Sequence, residues 1–248
     1  MSEFISYQEV MARCQVINQT YQINQARFDN IIDALITDQE RSPDRKVQAA
    51  FQLLLQAVSA EITDMEETAN LQATCRMGCA FCCYFPIVIN RMEAILIKQA
   101  IDQMPEDRKH FIQQHIRQYY KKHQAKVAEL EALDITGDPE AKLTYKQANL
   151  PCVLLNTETN TCLAYEFRPL PCRTYVNYTD PKVCADQHMP KETISYEFLY
   201  QEYMGAFNEL LQYLYETDYI DIIDYPDDLY QEDLLINWMR EGEAILRK

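Results

Sequence analysis

"CRMGCAFCC", residues 75–83, sets four of the chain's nine cysteines within nine positions. Offsets of 0, 4, 7 and 8 would line all four along one side of a straight helix. Such a helix would separate Cys75 from Cys83 by about 12 Å along its axis, whereas thiolates sharing one zinc lie ~2.3 Å from it. The segment is therefore either a cysteine stripe on a continuous helix or a bent loop that can gather thiolates. Gly78, which tolerates positive φ, and Pro86, which discourages helix before it, predict the bend. The fold expected from this reading is mainly α, with helices surrounding a loop-rich, cysteine-ligated region that holds at most a small β-hairpin.

The Cys-x3-Cys-x2-Cys run of Cys75, Cys79 and Cys82 has short intervals used in zinc and iron-sulfur sites. The adjacent Cys83 is less ordinary, because neighbouring side chains diverge on a helix or a strand. Two sites, one polynuclear cluster, or a ligand beside a free thiol would each account for the pair. A second group, Cys152, Cys162, Cys172 and Cys184, follows at intervals of ten, ten and twelve residues. Pro151, Pro169 and Pro171 stiffen the loops around three of these thiols. Arg168 and Arg173 bring positive charge, which would offset the net charge of about -2 on four thiolates around a divalent ion. Cys14 stands apart and reads as a small buried residue of the first helix.

The amino-terminal "MSEFISYQEVMARCQ" lacks the basic stretch and apolar run of a secretory signal, and no window approaches the ~18 apolar residues of a membrane span. A cytosolic location is expected, where thiols stay reduced, and an odd cysteine count also argues against a disulfide framework. A formal charge of -15 disfavours nucleic-acid phosphates and anionic lipid as partners.

Only four glycines serve 248 residues, too few for the turns of a many-stranded sheet. Val47, Phe51, Leu54, Val58, Ile62 and Met65 keep helical spacing behind a Ser42 cap and Pro43. Ile112, Ile116, Tyr119, His123, Val127 and Leu130 form a second stripe, predicting a helix over about 106–133. Leu199, Tyr203, Phe207, Leu210 and Leu214 form a third, and "YPDD" (225–228) introduces a final helix around Leu235 and Trp238. "YQEVMARCQVINQTYQINQARFDNIIDALI" reads as one further helix. "CVLLNTETNTCLAY" reads as a hairpin whose arms, 153–155 and 162–165, flank a polar turn. Together these suggest one domain over 1–248, with helices over 1–70 and 190–248 around a cysteine region at 75–184.

These residues resemble a bacterial family known by a CxxxCxxCC cysteine pattern and described as zinc- or iron-chelating. The resemblance rests on Cys75–Cys83, then Pro151-Cys152, Cys162 with Tyr165-Glu166, Arg168-Pro169, Cys172-Arg173 and Cys184, and covers about 75–184. It implies metal chelation by the eight clustered cysteines. A related pattern occurs in bacterial flagellin lysine N-methylases, but no glycine-rich strand-to-helix loop here suggests a methyl-donor pocket.

His188 lies four residues after Cys184, within reach of a shared metal, and reads better as a solvated loop histidine. His110, His115 and His123 fall on or beside the second helix, facing water or core. The acidic run at 216–233 lacks the spacing of a calcium loop and reads as a solvated face with Tyr219, Ile222 and Tyr225 turned inward. The expected function is a cytosolic metal-binding protein holding an iron-sulfur cluster or zinc. A metal-dependent enzyme, such as a protein lysine N-methylase-like transferase, and a thiol redox or metal-delivery protein are the alternatives. No catalytic residue is assigned.

Overall fold

The computed structural model describes residues 4–138, 140–186 and 188–240. It opens with α1 (Tyr7–Thr20), α2 (Gln25–Thr37) and α3 (Pro43–Thr68), then β1 (Val88–Asn90), α4 (Arg91–Asp102) and α5 (Glu106–Leu130). The middle holds α6 (Ala141–Gln147), β2 (Leu155–Asn156), β3 (Thr161–Cys162), α7 (Pro171–Thr174), β4 (Tyr175–Asn177), α8 (Lys182–Asp186) and β5 (Thr193–Ser195). Then come α9 (Leu199–Thr217), α10 (Asp227–Tyr230), β6 (Glu232–Leu234) and α11 (Leu235–Trp238). The protein is mainly α, and the strands among the described residues form three two-stranded antiparallel ribbons.

The chain divides into two compact units. The first comprises Met1–Arg76, Pro169–Asp186 and Pro190–Ile222; the second comprises Met77–Arg168, Gln187–Met189 and Ile223–Lys248.

In the first unit α2, α3 and α9 pack together. The stripes expected on α3 and α9 are the buried faces: Val47, Leu54, Val58 and Met65 of α3, and all five stripe residues of α9, are fully buried. Burial at ~1.5–3 kcal/mol per large apolar side chain makes this shared face the main source of the unit's stability. The single amino-terminal helix expected from the sequence is two helices, α1 and α2. The cause is Glu61, fully buried on α3, whose Oε1 accepts from the Tyr21 hydroxyl at 2.7 Å and from the Asn24 backbone N–H at 2.8 Å. Satisfying this carboxylate breaks the chain at 21–24, and Arg27 completes the cluster through ion pairs to Glu61 and Asp64. Tyr219, expected to point inward, is 73% exposed, and Ile223 of the second unit, at 4%, takes a buried place instead.

In the second unit α4 begins at Asn90, whose Oδ1 accepts from the Glu93 backbone N–H at 2.8 Å. α5 carries the expected stripe, with Ile112, Ile116, Tyr119, Val127 and Leu130 buried, and kinks at His123 (φ -110°, ψ 15°). The last helix predicted near Leu235 and Trp238 is shortened to α11. β6 before it is drawn extended by pairing with β1, in the register Val88↔Leu234, Ile89↔Asp233 and Asn90↔Glu232. Trp238 fixes the end by donating its indole N–H to the Ile89 carbonyl at 3.1 Å.

Glu93 is 1% exposed, and one of its carboxylate oxygens is buried without a partner among the described residues. Burial, reinforced by the nearby charge of Glu232, pushes its carboxyl up to about 7. The folded chain therefore keeps this proton while the unfolded chain loses it, so stability falls as pH rises from about 4.5 to about 7, by on the order of 3 kcal/mol. Glu93→Gln is expected to be more stable than the native chain at about pH 8 and to flatten that slope. Urea melts at acidic and mildly alkaline pH test this; an unchanged slope in the variant would count against it.

Candidate metal centre

Residues 75–83 do not form a continuous helix. Gly78 adopts φ +91°, a turn occupies 77–78, and a short 3-10 helix over Phe81–Tyr84 carries Cys82 and Cys83. The bend parts the thiols between units: Cys75 belongs to the first, Cys79, Cys82 and Cys83 to the second.

Four thiols of the second unit are tied together by backbone contacts. The Cys152 N–H donates to the Cys83 carbonyl at 2.6 Å, fastening the second cysteine loop to the first. The expected hairpin forms with Leu155 opposite Cys162, while Leu155 N–H bonds back to the Cys152 carbonyl at 2.9 Å. Cys162 thereby sits in the short ribbon, which begins three residues after Cys152. Each thiol also receives a backbone N–H two residues on, Leu154 for Cys152 and Ala164 for Cys162, and each senses the charge of Cys82. Donors aimed at sulfur favour the thiolate, the form that binds metal.

Without metal these two thiols remain protonated: burial pushes Cys152 up to about 12 and raises Cys162 as well. Cys82 runs the other way, drawn down to about 7 by the hydrogen bond from the Cys83 thiol and by the Arg168 and Lys146 charges, against burial. The two cations are held in place. Lys146, 9% exposed on α6, donates to the Phe81 carbonyl at 2.7 Å and lies 4.5 Å from the Phe85 ring centre. The Arg168 guanidinium stacks 4.4 Å from the Tyr165 ring centre.

α5 supports the same loop from behind. His115 Nε2–H donates to the Val153 carbonyl at 3.1 Å, and the Tyr119 hydroxyl donates to the Pro151 carbonyl at 2.7 Å. Two side chains four residues apart on one helix thus grip the carbonyls on either side of Cys152. Burial lowers the His115 pKa, which keeps the ring neutral and its donor in place. His115, Tyr119 and Lys146 carry no motif. The sequence signal that could have found the first pair is their i, i+4 spacing on the face opposite a Pro-Cys loop.

The remaining candidates lie elsewhere. Cys79 is half-buried in the second unit; Cys172 on α7 and Cys184 on α8 are half-buried in the first. Cys75 is exposed, and its Sγ accepts from the Asn177 N–H of β4 at 3.3 Å. Arg173, expected to serve the thiols, donates to Ser59 Oγ on α3 at 2.9 Å. His188 is exposed. Cys14 is half-buried on α1, and burial raises its thiol pKa.

Among the described residues no three histidine, cysteine or carboxylate side chains already converge on one point as metal ligands. The donor set nevertheless fits a soft or borderline metal: four linked thiols, N–H donors at two sulfurs and two fixed cations to offset thiolate charge.

Residues 74–193 match the family model CxxCxxCC, "Putative zinc- or iron-chelating domain". Neither the curated proteins nor the solved structures contain a match to the chain. In this chain the first interval of the pattern holds three residues, Arg76, Met77 and Gly78, the last at φ +91°. The cysteine spacing, the thiol-bearing loops and the family match coincide over residues 74–193, the region of the chain that is similar to the CxxCxxCC domain.

Proposed function

We propose that the protein binds metal through clustered cysteine thiolates, as zinc or an iron-sulfur cluster. Cys82, Cys83, Cys152 and Cys162 are the central ligands, and Cys79 of the same unit is a fifth. Cys75, Cys172 and Cys184 of the first unit complete the set of eight proposed ligands. The observation that carries this reading is the linkage of Cys83 to Cys152 through a backbone hydrogen bond, in a loop whose sulfurs face N–H donors and whose cations are already placed. A structural cysteine needs none of these features.

A reducing, cytosolic setting, which keeps thiols available to metal, belongs to this reading. No described helix is long and apolar enough to cross a membrane. The metal would supply cross-linking of loops that have little regular structure of their own, so that binding adds directly to folding.

Anaerobic purification followed by elemental analysis and an absorption spectrum tests the proposal. Iron with acid-labile sulfide and a visible charge-transfer band identifies a cluster, and colourless protein with stoichiometric zinc identifies a thiolate site. Protein free of both metals, and unable to take up either under reducing conditions, would overturn the reading.

A further inference from the structure

The first unit holds a cleft of about 250 Å³ lined by Leu170, Pro171, Thr174, Tyr175, Ser195, Glu197 and Tyr200. We propose that this cleft binds an organic cation, an ammonium or guanidinium head on a short aliphatic stem.

Composition selects the ligand's charge. Two tyrosines and one carboxylate contribute to the lining, with no lysine, arginine or histidine among them. Tyrosine faces attract cations through the ring quadrupole, and a carboxylate adds direct charge and hydrogen-bond acceptors. An anionic ligand would meet the Glu197 carboxylate in a lining that supplies no cationic residue. The formal charge of -15 on the whole chain further raises the local concentration of cations.

Size selects its extent. Sites for whole cofactors and drug-sized ligands run to roughly 300–1,000 Å³, so a smaller cleft suits a head group and its stem. Leu170 and Pro171 supply the apolar surface on which methylene groups would lie, as alkyl stems of charged residues do elsewhere.

The walls are also fixed before any ligand arrives. Tyr175 opens β4, lies opposite Ser195 in the β4–β5 register, and accepts from Thr193 Oγ1 at 2.8 Å. Thr174 is 3% exposed and bonds back to the Leu170 carbonyl through its N–H at 3.1 Å. Tyr200 lies in the first turn of α9, whose buried stripe anchors it. A rigid wall drawn from α7, the ribbon and α9 loses little entropy on binding.

The test is a titration of the full, metal-loaded chain with n-butylamine and with n-butylguanidine, followed by backbone amide NMR. Saturable shifts confined to residues 170–175 and 195–200 are expected, with little effect from n-butanol at the same concentration. Glu197→Gln, at an exposed position, should weaken cation binding about tenfold. A short peptide with blocked ends and a single lysine or arginine separates the sources: tighter binding than the free amine marks a protein side chain as the ligand, and equal binding marks a free small cation. Absence of saturable shifts, equal shifts with butanol, or unchanged affinity in Glu197→Gln would overturn the proposal.

Discussion

Serine in place of Cys152 is expected to reduce metal bound in the second unit to background and to lower affinity there by more than about a hundredfold. Loss of an outer hydrogen bond to a metal ligand already costs roughly 10–100-fold, and this change removes a sulfur ligand itself. Cys152 is the sharpest choice because its backbone N–H, which serine retains, holds the Cys83 carbonyl, so the loop connection persists while the thiolate is lost. Cys162→Ser should behave alike, since Ala164 and Leu154 treat the two sulfurs the same way. Cys14→Ala, on α1 of the first unit, should leave metal content unchanged. Elemental analysis of the three variants purified side by side decides the matter. Full metal content in both loop variants would remove these cysteines from the ligand set.

How legible the molecule was differs from element to element, for physical reasons. α3 and α9 could be read because each buries a continuous stripe against other helices, and burial writes a helical period into the sequence. The β2–β3 hairpin could be read because its partners are near neighbours and its turn is polar. The β1–β6 ribbon could not: three-residue strands show no alternation, and Asn90 pairs with Glu232 across most of the chain. The break between α1 and α2 depends on Glu61, a residue that in sequence is one more charge on a long helix.

The candidate site was legible in its thiols and hidden in the groups around them. Cysteine spacing marked the thiols, but not the boundary that puts Cys75 and Cys79, four residues apart, in different compact units. Lys146, in "TYKQANLPC", looks like an ordinary surface lysine. Its meaning comes from three partners some sixty residues earlier: the Phe81 carbonyl and the rings of Tyr84 and Phe85. The Phe81 carbonyl and the two rings hold this ammonium, whose charge helps to lower the Cys82 thiol pKa.

Chelating the metal should loosen the second unit's loops far more than the helices of the first. Residues 77–85 and 150–168 contain short 3-10 turns and a two-by-two-residue ribbon, with little regular hydrogen bonding. The two segments are joined by Cys152 N–H to the Cys83 carbonyl, and their polar ties to the rest of that unit include Lys146 to Phe81, His115 and Tyr119 to the carbonyls of Val153 and Pro151, and Arg108 to the Leu163 carbonyl and Glu166. Structural zinc is worth roughly 10–16 kcal/mol of apparent binding free energy in small domains, and removing even a fraction of that exceeds what such ties contribute at ~1 kcal/mol each. Amide exchange in these segments is therefore expected to accelerate by at least about a hundredfold after chelation, with a fall in Tm. The α2, α3 and α9 amides, protected by an apolar face that needs no metal, should change little. Hydrogen exchange read by mass spectrometry on metal-loaded and verified metal-free protein measures both. Equal protection of 150–168 in the two forms would mean that the loops hold themselves, and that the thiols serve something other than their folding.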